Sequence, residues 1–194
     1  SIRFSNWDLL EDHTNGKKVP LALDPYYFMR MTETMFENNG KLPEYDTLRY
    51  PSENVSWHPE IMSEAMIFLY KTGKIFNSNL TLREAIVASP VIFFIMGLIT
   101  FFFLILLLTN SKLCAILSSL FLGFMPVYLH RTMAGFSDHE AIGMFAFLLT
   151  LLVFTLAMKF LDKFNNESDN GENKKQNLNI KNMFFSILLG ISTG

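Results

Sequence analysis

Between Pro90 and Leu108 the chain carries no charged side chain and is built mainly of Phe, Ile and Leu. A helix of about 20 such residues, rising about 1.5 Å at each, is long enough to cross a hydrocarbon core of about 30 Å. Half of the 194 residues are hydrophobic, and a soluble domain of this length could form one core from them. Here they concentrate after about position 85, where charge nearly disappears, so a membrane region is the better reading. The polar break TNSK precedes a second apolar stretch at about 113–129, which is short and has Pro126 near its end. The polar link HRTMAGFSDHE leads to a third at about 141–161. An Asn-rich polar stretch over 162–182 reads as a mobile loop, and 183–194 starts a fourth span. The expected fold is mainly α, a polytopic helical membrane protein, with 85–194 as its transmembrane region.

Residues 1–84 differ, with nine Lys/Arg against twelve Asp/Glu. Asp24 as N-cap, Pro25 at the first helical position and Asn39-Gly40 as a stop predict a helix. A Pro-punctuated loop follows from Lys41. Then Ile61, Met62, Ala65, Met66 and Leu69 recur at helical spacing, which predicts a short amphipathic helix. The net charge of −2 leaves no basic stripe for a nucleic-acid partner. Cys114 is the single cysteine and forms no intrachain disulfide. The opening SIRFSNWDLL lacks the marks of a signal peptide, and ISTG closes inside an apolar segment, so the chain reads as a fragment.

Lys/Arg placement gives an orientation. The 109–112 break and the 159–182 loop together hold six lysines, whereas the link 130–140 holds only Arg131. The positive-inside rule puts the lysine-bearing loops in the cytoplasm, so 1–84 and 130–140 share the outer face. Two Asn-x-Ser/Thr triplets, at Asn54 and Asn79, fall in that outer region as candidate glycosylated positions. Such triplets arise often by chance, as Asn166 on the cytoplasmic side illustrates.

Three outer carboxylates stand out: Asp24, Asp138 and Glu140. Two readings compete for the last two. Ser137-Asp138-His139-Glu140 fits a capping box, and acidic residues in a first turn complement the helix dipole. Alternatively, hard cations such as Mg²⁺ or Mn²⁺ take carboxylate oxygens. Residues two apart meet one ion only where the backbone is not yet helical; Gly135 favours such an irregular approach. Asp24 likewise reads as a helix cap or as a ligand, and the roles are compatible, since a carboxylate has several acceptor sites.

The stretch LALDPYYFMRMTE (Leu21–Glu33) resembles the first acidic motif of oligosaccharyltransferase catalytic subunits, an Asp-Pro followed by aromatics, Arg and Thr-Glu. HRTMAGFSDHEAIGMF (His130–Phe145) resembles their second, an Arg-Ser/Thr-x-Ala-Gly segment leading into D-x-D or D-x-E. YDTLRYPS (Tyr45–Ser52) is similar to the family's intervening loop, and the Asp-Pro-Tyr-Tyr form is most like archaeal members. The resemblance covers essentially the whole chain but only the first part of such an enzyme. A preceding span, a later loop with a catalytic Glu, and a C-terminal domain with Trp-Trp-Asp-Tyr-Gly are expected elsewhere.

The resemblance implies a GT-C type glycosyltransferase transmembrane region. Asp24, Asp138 and Glu140 then match metal-binding and catalytic acidic positions for Mn²⁺ or Mg²⁺, and His139 is not assigned to the metal. Arg131 matches the motif's Arg, as a phosphate-binding or fold-holding group; a helix-end cation at the membrane interface is an equal reading. The implied reaction moves an oligosaccharide from a polyprenyl (dolichyl) phosphate or diphosphate onto the Asn of Asn-x-Ser/Thr, with inversion. The implied partners are the lipid-linked donor, the acceptor polypeptide and membrane lipid. The implied location is the archaeal cell membrane with an outward site, or a lumenal site in the endoplasmic reticulum of a eukaryote. The alternatives are a related transferase such as a protein O-mannosyltransferase, a transporter, or a non-enzymatic scaffold. The Phe, Leu and Ile at the middle of the spans argue against transport.

Overall fold

The computed structural model describes residues 2–46, 48 and 61–168, with 163–168 by backbone alone. The expectations for Asn54, for most of YDTLRYPS and for a span over 183–194 lie outside the described residues. Two short 3₁₀ turns, Ile2–Phe4 and Trp7–Leu10, precede six α-helices among the described residues. These are α1 (Leu23–Glu37), α2 (Ile61–Phe76), α3 (Leu82–Thr109), α4 (Lys112–Phe124), α5 (Pro126–Arg131) and α6 (His139–Ser168). The described residues hold no strand, only a bridge between Glu11 and Lys18.

The stop of α1 is the expected one. Asn39 and Gly40 both take positive φ, and the Gly40 N–H donates to the Met35 carbonyl at 2.8 Å, which closes the helix end. Its start differs. Ala22 holds the cap position without a side-chain hydrogen bond, and Asp24 falls inside the first turn. Asp24 is therefore not the cap, and its carboxylate is left for other use. In α2 the buried face is Met62, Ser63, Met66 and Ile67, while Ile61 points outward at 69% exposure. Thr32 of α1 meets that face, its hydroxyl 3.0 Å from Ser63 Oγ and 3.5 Å from Met66 Sδ.

α3 begins eight residues ahead of the expected Pro90 and crosses the 84/85 boundary. A capping box starts it: Glu84 Oε2 accepts the Thr81 N–H at 2.8 Å, and the Glu84 N–H donates to Thr81 Oγ1 at 3.3 Å. Pro90 thus sits inside the helix. The expected 113–129 stretch is two helices. Pro126 cannot continue α4 and instead occupies the first turn of α5. α4 has 13 residues, about 20 Å of helix. α6 continues to Ser168, beyond the expected loop boundary at 162.

Two helices, Leu82–Thr109 and the His139–Asp162 part of α6, are long and apolar enough to cross a membrane. The chain divides into two compact units. One comprises residues 1–96 and 123–143. Its core joins Leu10, Met29, Met62, Met66, Ile86, Val87, Val91 and Ala134, with Trp7, Phe28, Leu82 and Ile142 packed around them. The other comprises 97–122 and 144–194. There Phe103, Phe121, Phe147 and Phe154 are each about half exposed or more, and Lys159 Nζ donates to the Leu107 carbonyl.

Candidate functional site

Both acidic motifs lie in the first unit, and the turn through Gly135 is where they meet. Gly135 has φ +88°, a left-handed conformation that glycine tolerates and L side chains rarely adopt. A Cβ there would stand 2.9 Å from Leu10 Cδ1 and 3.3 Å from the Leu21 backbone nitrogen. That closeness lets the Leu21 N–H donate to the Gly135 carbonyl at 2.9 Å, while the Gly135 N–H donates to the Val87 carbonyl at 2.8 Å. The entry to the first motif is thus bonded to the middle of the second. A further contact follows at Phe28 and His139, whose rings are 6.1 Å apart. Asp24 lies in sequence between these two junctions.

The amino-terminal segment holds the second motif from its other side. Arg3 is only 4% exposed. Its Nε donates to Thr132 Oγ1 at 2.8 Å, its Nη2 to the Gly123 carbonyl at 2.8 Å, and its guanidinium lies 3.3 Å from the centre of the Phe94 ring. Stacking plus hydrogen bonds offset the cost of burying this charge. Burial still pulls its pKa below the ordinary arginine value, against an opposing influence from Tyr128. The Arg3 carbonyl accepts the Ala134 N–H at 2.9 Å, and Asn6 Nδ2 donates to the Ala134 carbonyl at 2.9 Å.

The carboxylates follow this turn. Asp138 is 5% exposed and stands immediately ahead of α6. Its Oδ1 accepts the His139 N–H at 2.7 Å and lies 2.5 Å from His139 Nδ1, so Oδ2 has no partner among the described residues. The capping box, one of the two readings of Ser137–Glu140, is not formed. Ser137 Oγ donates instead to the Ile86 carbonyl at 2.7 Å, and Glu140 lies 3.2 Å from Arg131 Nη1. Glu140 Oε2 is a buried oxygen with no hydrogen bond; its contact with Arg131 is an ion pair of poor hydrogen-bond geometry. Arg131 also lies over the Phe136 ring at 4.8 Å. Asp24 is exposed and engages no partner among the described residues.

Asp24 and Asp138 Oδ2 therefore offer unpaired hard oxygen donors, and Glu140 Oε2 meets Arg131 without accepting a hydrogen bond from it. That donor chemistry fits Mn²⁺ or Mg²⁺. Among the described residues, however, no three His, Cys, Asp or Glu side chains gather into a closed metal cluster. The fit is one of donor type and paired backbone segments. Asn79 is exposed, and its N–H donates to Asn77 Oδ1 at 3.1 Å. The Thr81 hydroxyl of the same triplet is engaged by Glu84 at 2.8 Å. A cleft of about 340 Å³, lined by Glu11, Lys18, Thr81 and Arg83 among others, holds none of the motif carboxylates.

The other residues of the first motif hold α1 in place. Arg30 makes a two-pronged pair with Asp46, Nη1 to Oδ1 at 2.8 Å. Hydrogen bonding to the Asp46 carboxylate raises the Arg30 pKa above its usual value. Glu33 accepts from Arg83 Nε at 2.6 Å and Nη2 at 3.1 Å. Sequence reasoning missed Arg3, Ser137 as a docking group, and the start of α3. Only the last had a local signal, Thr81-x-x-Glu84 ahead of an apolar run.

The first motif opens α1, the second leads into the long apolar α6, and a backbone hydrogen bond joins them; this defines a helical protein with two helices apolar and long enough to cross a membrane. The family model described as oligosaccharyl transferase STT3, N-terminal, matches residues 5–193, and the chain belongs to that family. A dolichyl-phosphooligosaccharide-protein glycotransferase of Methanocaldococcus jannaschii is 28% identical over 143 residues, covering 68% of this chain and 15% of the relative. One from Methanococcus voltae is 26% identical over 134 residues, covering 64% and 15%. A dolichyl-phosphooligosaccharide-protein glycotransferase 1 of Archaeoglobus fulgidus is 28% identical over 156 residues, covering 77% and 24%. The chain thus spans between 15% and 24% of the length of these relatives. No solved structure matches it.

Proposed function

We propose that this chain is the donor-side part of a membrane glycosyltransferase that moves an oligosaccharide from a dolichyl phosphate or diphosphate to the Asn of Asn-x-Ser/Thr in proteins. The observation that carries the reading is the hydrogen bond from Leu21 to Gly135, which joins two acidic motifs of a chain matched to this family over 5–193. The names of the archaeal relatives supply the donor class.

In this reading Asp24, Asp138 and Glu140 hold Mn²⁺ or Mg²⁺ at the outer membrane face. A bound divalent ion supplies Lewis acidity toward the departing phosphate oxygen. The acceptor amide nitrogen is a poor nucleophile because its lone pair is delocalised into the carbonyl. A carboxylate such as Asp24, exposed and unpaired, accepts an amide N–H and weakens that delocalisation. Displacement at the anomeric carbon then proceeds with inversion. Arg131, with its guanidinium on the Phe136 ring, offers planar donors for a phosphate oxygen. The apolar helices hold the polyprenol tail, and the protein is multi-pass, with this site on the outer face of an archaeal cell membrane.

The test uses the full-length protein with Mn²⁺, a lipid-linked donor and a sequon peptide. Asp24→Asn and Asp138→Asn are each expected to lower glycopeptide formation at least a hundredfold while melting temperature stays near the parent's. Near-normal turnover by both variants sinks the assignment.

A further inference from the structure

An α-helix loses one hydrogen bond wherever proline enters its interior, because the carbonyl four residues earlier has no N–H to receive. Pro90 lies inside α3, so the carbonyl it strands is that of Ile86. The Ile86 carbonyl is not left bare. It accepts the Ser89 hydroxyl at 2.8 Å and the Ser137 hydroxyl at 2.7 Å, filling both lone pairs of one oxygen. Ser89 and Ser137 are 1% and 0% exposed, so water cannot replace either hydroxyl without repacking. The two differ in what they tie down. Ser89 belongs to α3 itself and closes a local bond. Ser137 comes from 51 residues away and is the residue directly before Asp138.

We propose that Ser137 is a positioning residue, docked on the carbonyl that Pro90 strands, and that this docking fixes where the Asp138 carboxylate stands at the start of α6. The inference rests on the role assigned to Asp138 above. One bond earlier in the same turn, the Gly135 N–H donates to the Val87 carbonyl, so consecutive carbonyls of α3 grip residues 135 and 137. With the turn pinned at both points, Ser137 is unavailable as a helix cap. Asp138 is thereby held immediately ahead of α6, which begins at His139. Proline in α3 thereby acts at a distance in sequence: it creates the acceptor that the acidic motif uses.

Pro90→Ala is the decisive variant. Alanine restores an N–H that competes for the Ile86 carbonyl and suits a helix better than proline. A purely structural role for Pro90 therefore gives a full-length protein that is at least as active as the parent. The positioning role gives the opposite. Pro90→Ala and Ser137→Ala are each expected to raise the half-saturating Mn²⁺ concentration about tenfold, read from the electron paramagnetic resonance of free Mn²⁺. Each is also expected to lower kcat about tenfold, with acceptor-peptide KM within twofold of the parent and the melting temperature not reduced by more than about 5 °C. Ser89→Ala removes a bond to the same carbonyl without touching the motif, and both readouts are expected to stay at parental values. Equal losses in Ser89→Ala and Ser137→Ala overturn the proposal, as do parental values in Pro90→Ala. Asp138→Asn, run in parallel, separates the two levels. If it alone loses Mn²⁺ binding, the positioning role falls and the site assignment stands; if it too binds normally, both fall.

Discussion

Gly135 does three things that no other residue can do at once. It adopts φ +88°, it leaves room for Leu10 and for the Leu21 nitrogen, and it donates and accepts in the backbone pairing of α3 with the approach to α1. Alanine there meets backbone strain of about 1–2 kcal/mol, and its Cβ presses on a backbone nitrogen that cannot swing aside. Gly135→Ala is expected to destabilise the protein by about 2–3 kcal/mol and to reduce transfer activity more than tenfold, checked by thermal melting in detergent and a glycopeptide assay. Arg3 poses the converse case. Nothing in its neighbours Ile2 and Phe4 marks it out, because its partners Thr132 and Gly123 lie 129 and 120 residues away. A buried arginine is legible only once the chain is folded.

At the level of elements, α1 is docked by pairs of unequal worth. Asp46 is fully buried, whereas Arg30 retains 31% of its side-chain exposure. Glu33 and Arg83 keep 27% and 32%, so screening by water holds their pair to about 1 kcal/mol or less. Removing the guanidinium takes the two-pronged cationic partner from a carboxylate that is away from solvent and keeps the Leu48 N–H, a cost of about 2–3 kcal/mol. Arg30→Ala is accordingly expected to lower the melting temperature several-fold more than Glu33→Ala, compared by differential scanning fluorimetry. Equal shifts would mean that Asp46 gains water in the variant. The residues that the motif resemblance picked out after Asp24 thus serve to hold the helix that carries it. The sequence made α1 and its stop legible, since the Asn39-Gly40 signal is local. Pro90 and Pro126 were harder to read. Each reads as the edge of an apolar run, yet one is inside a helix and the other begins one; at Pro90 a distant segment, Ser137, satisfies the freed carbonyl, which no local pattern shows.

On the scale of the whole chain, hydrophobicity located α3 and α6 because each holds an uncharged, mainly apolar run of eighteen residues or more, which has few folded alternatives. It did not locate the division into two units, which depends on which stretches of α3 and α6 pack with the polar first segment. The proposed topology makes one sided prediction. Cys114 is free and exposed near the lysine-bearing break and belongs inside the cell, whereas the exposed Asn79 belongs outside. In intact cells a membrane-impermeant maleimide is expected to label Asn79→Cys, in a Cys114→Ser background, and to leave the parent's Cys114 untouched until the membrane is opened. Labelling of the native thiol in sealed cells would reverse the orientation.

The bonds from Arg3 to Thr132 and Gly123 also set an order of events during synthesis. Residue 3 leaves the ribosome on the order of ten seconds before residue 132, at translation rates of about 5–20 residues per second. Throughout that interval its guanidinium lacks the Thr132 hydroxyl, and until residue 94 emerges it lacks the Phe94 ring as well. Only when the later turn arrives does the arginine gain its hydrogen bonds to protein, so the acidic turn cannot mature before residue 132 has emerged.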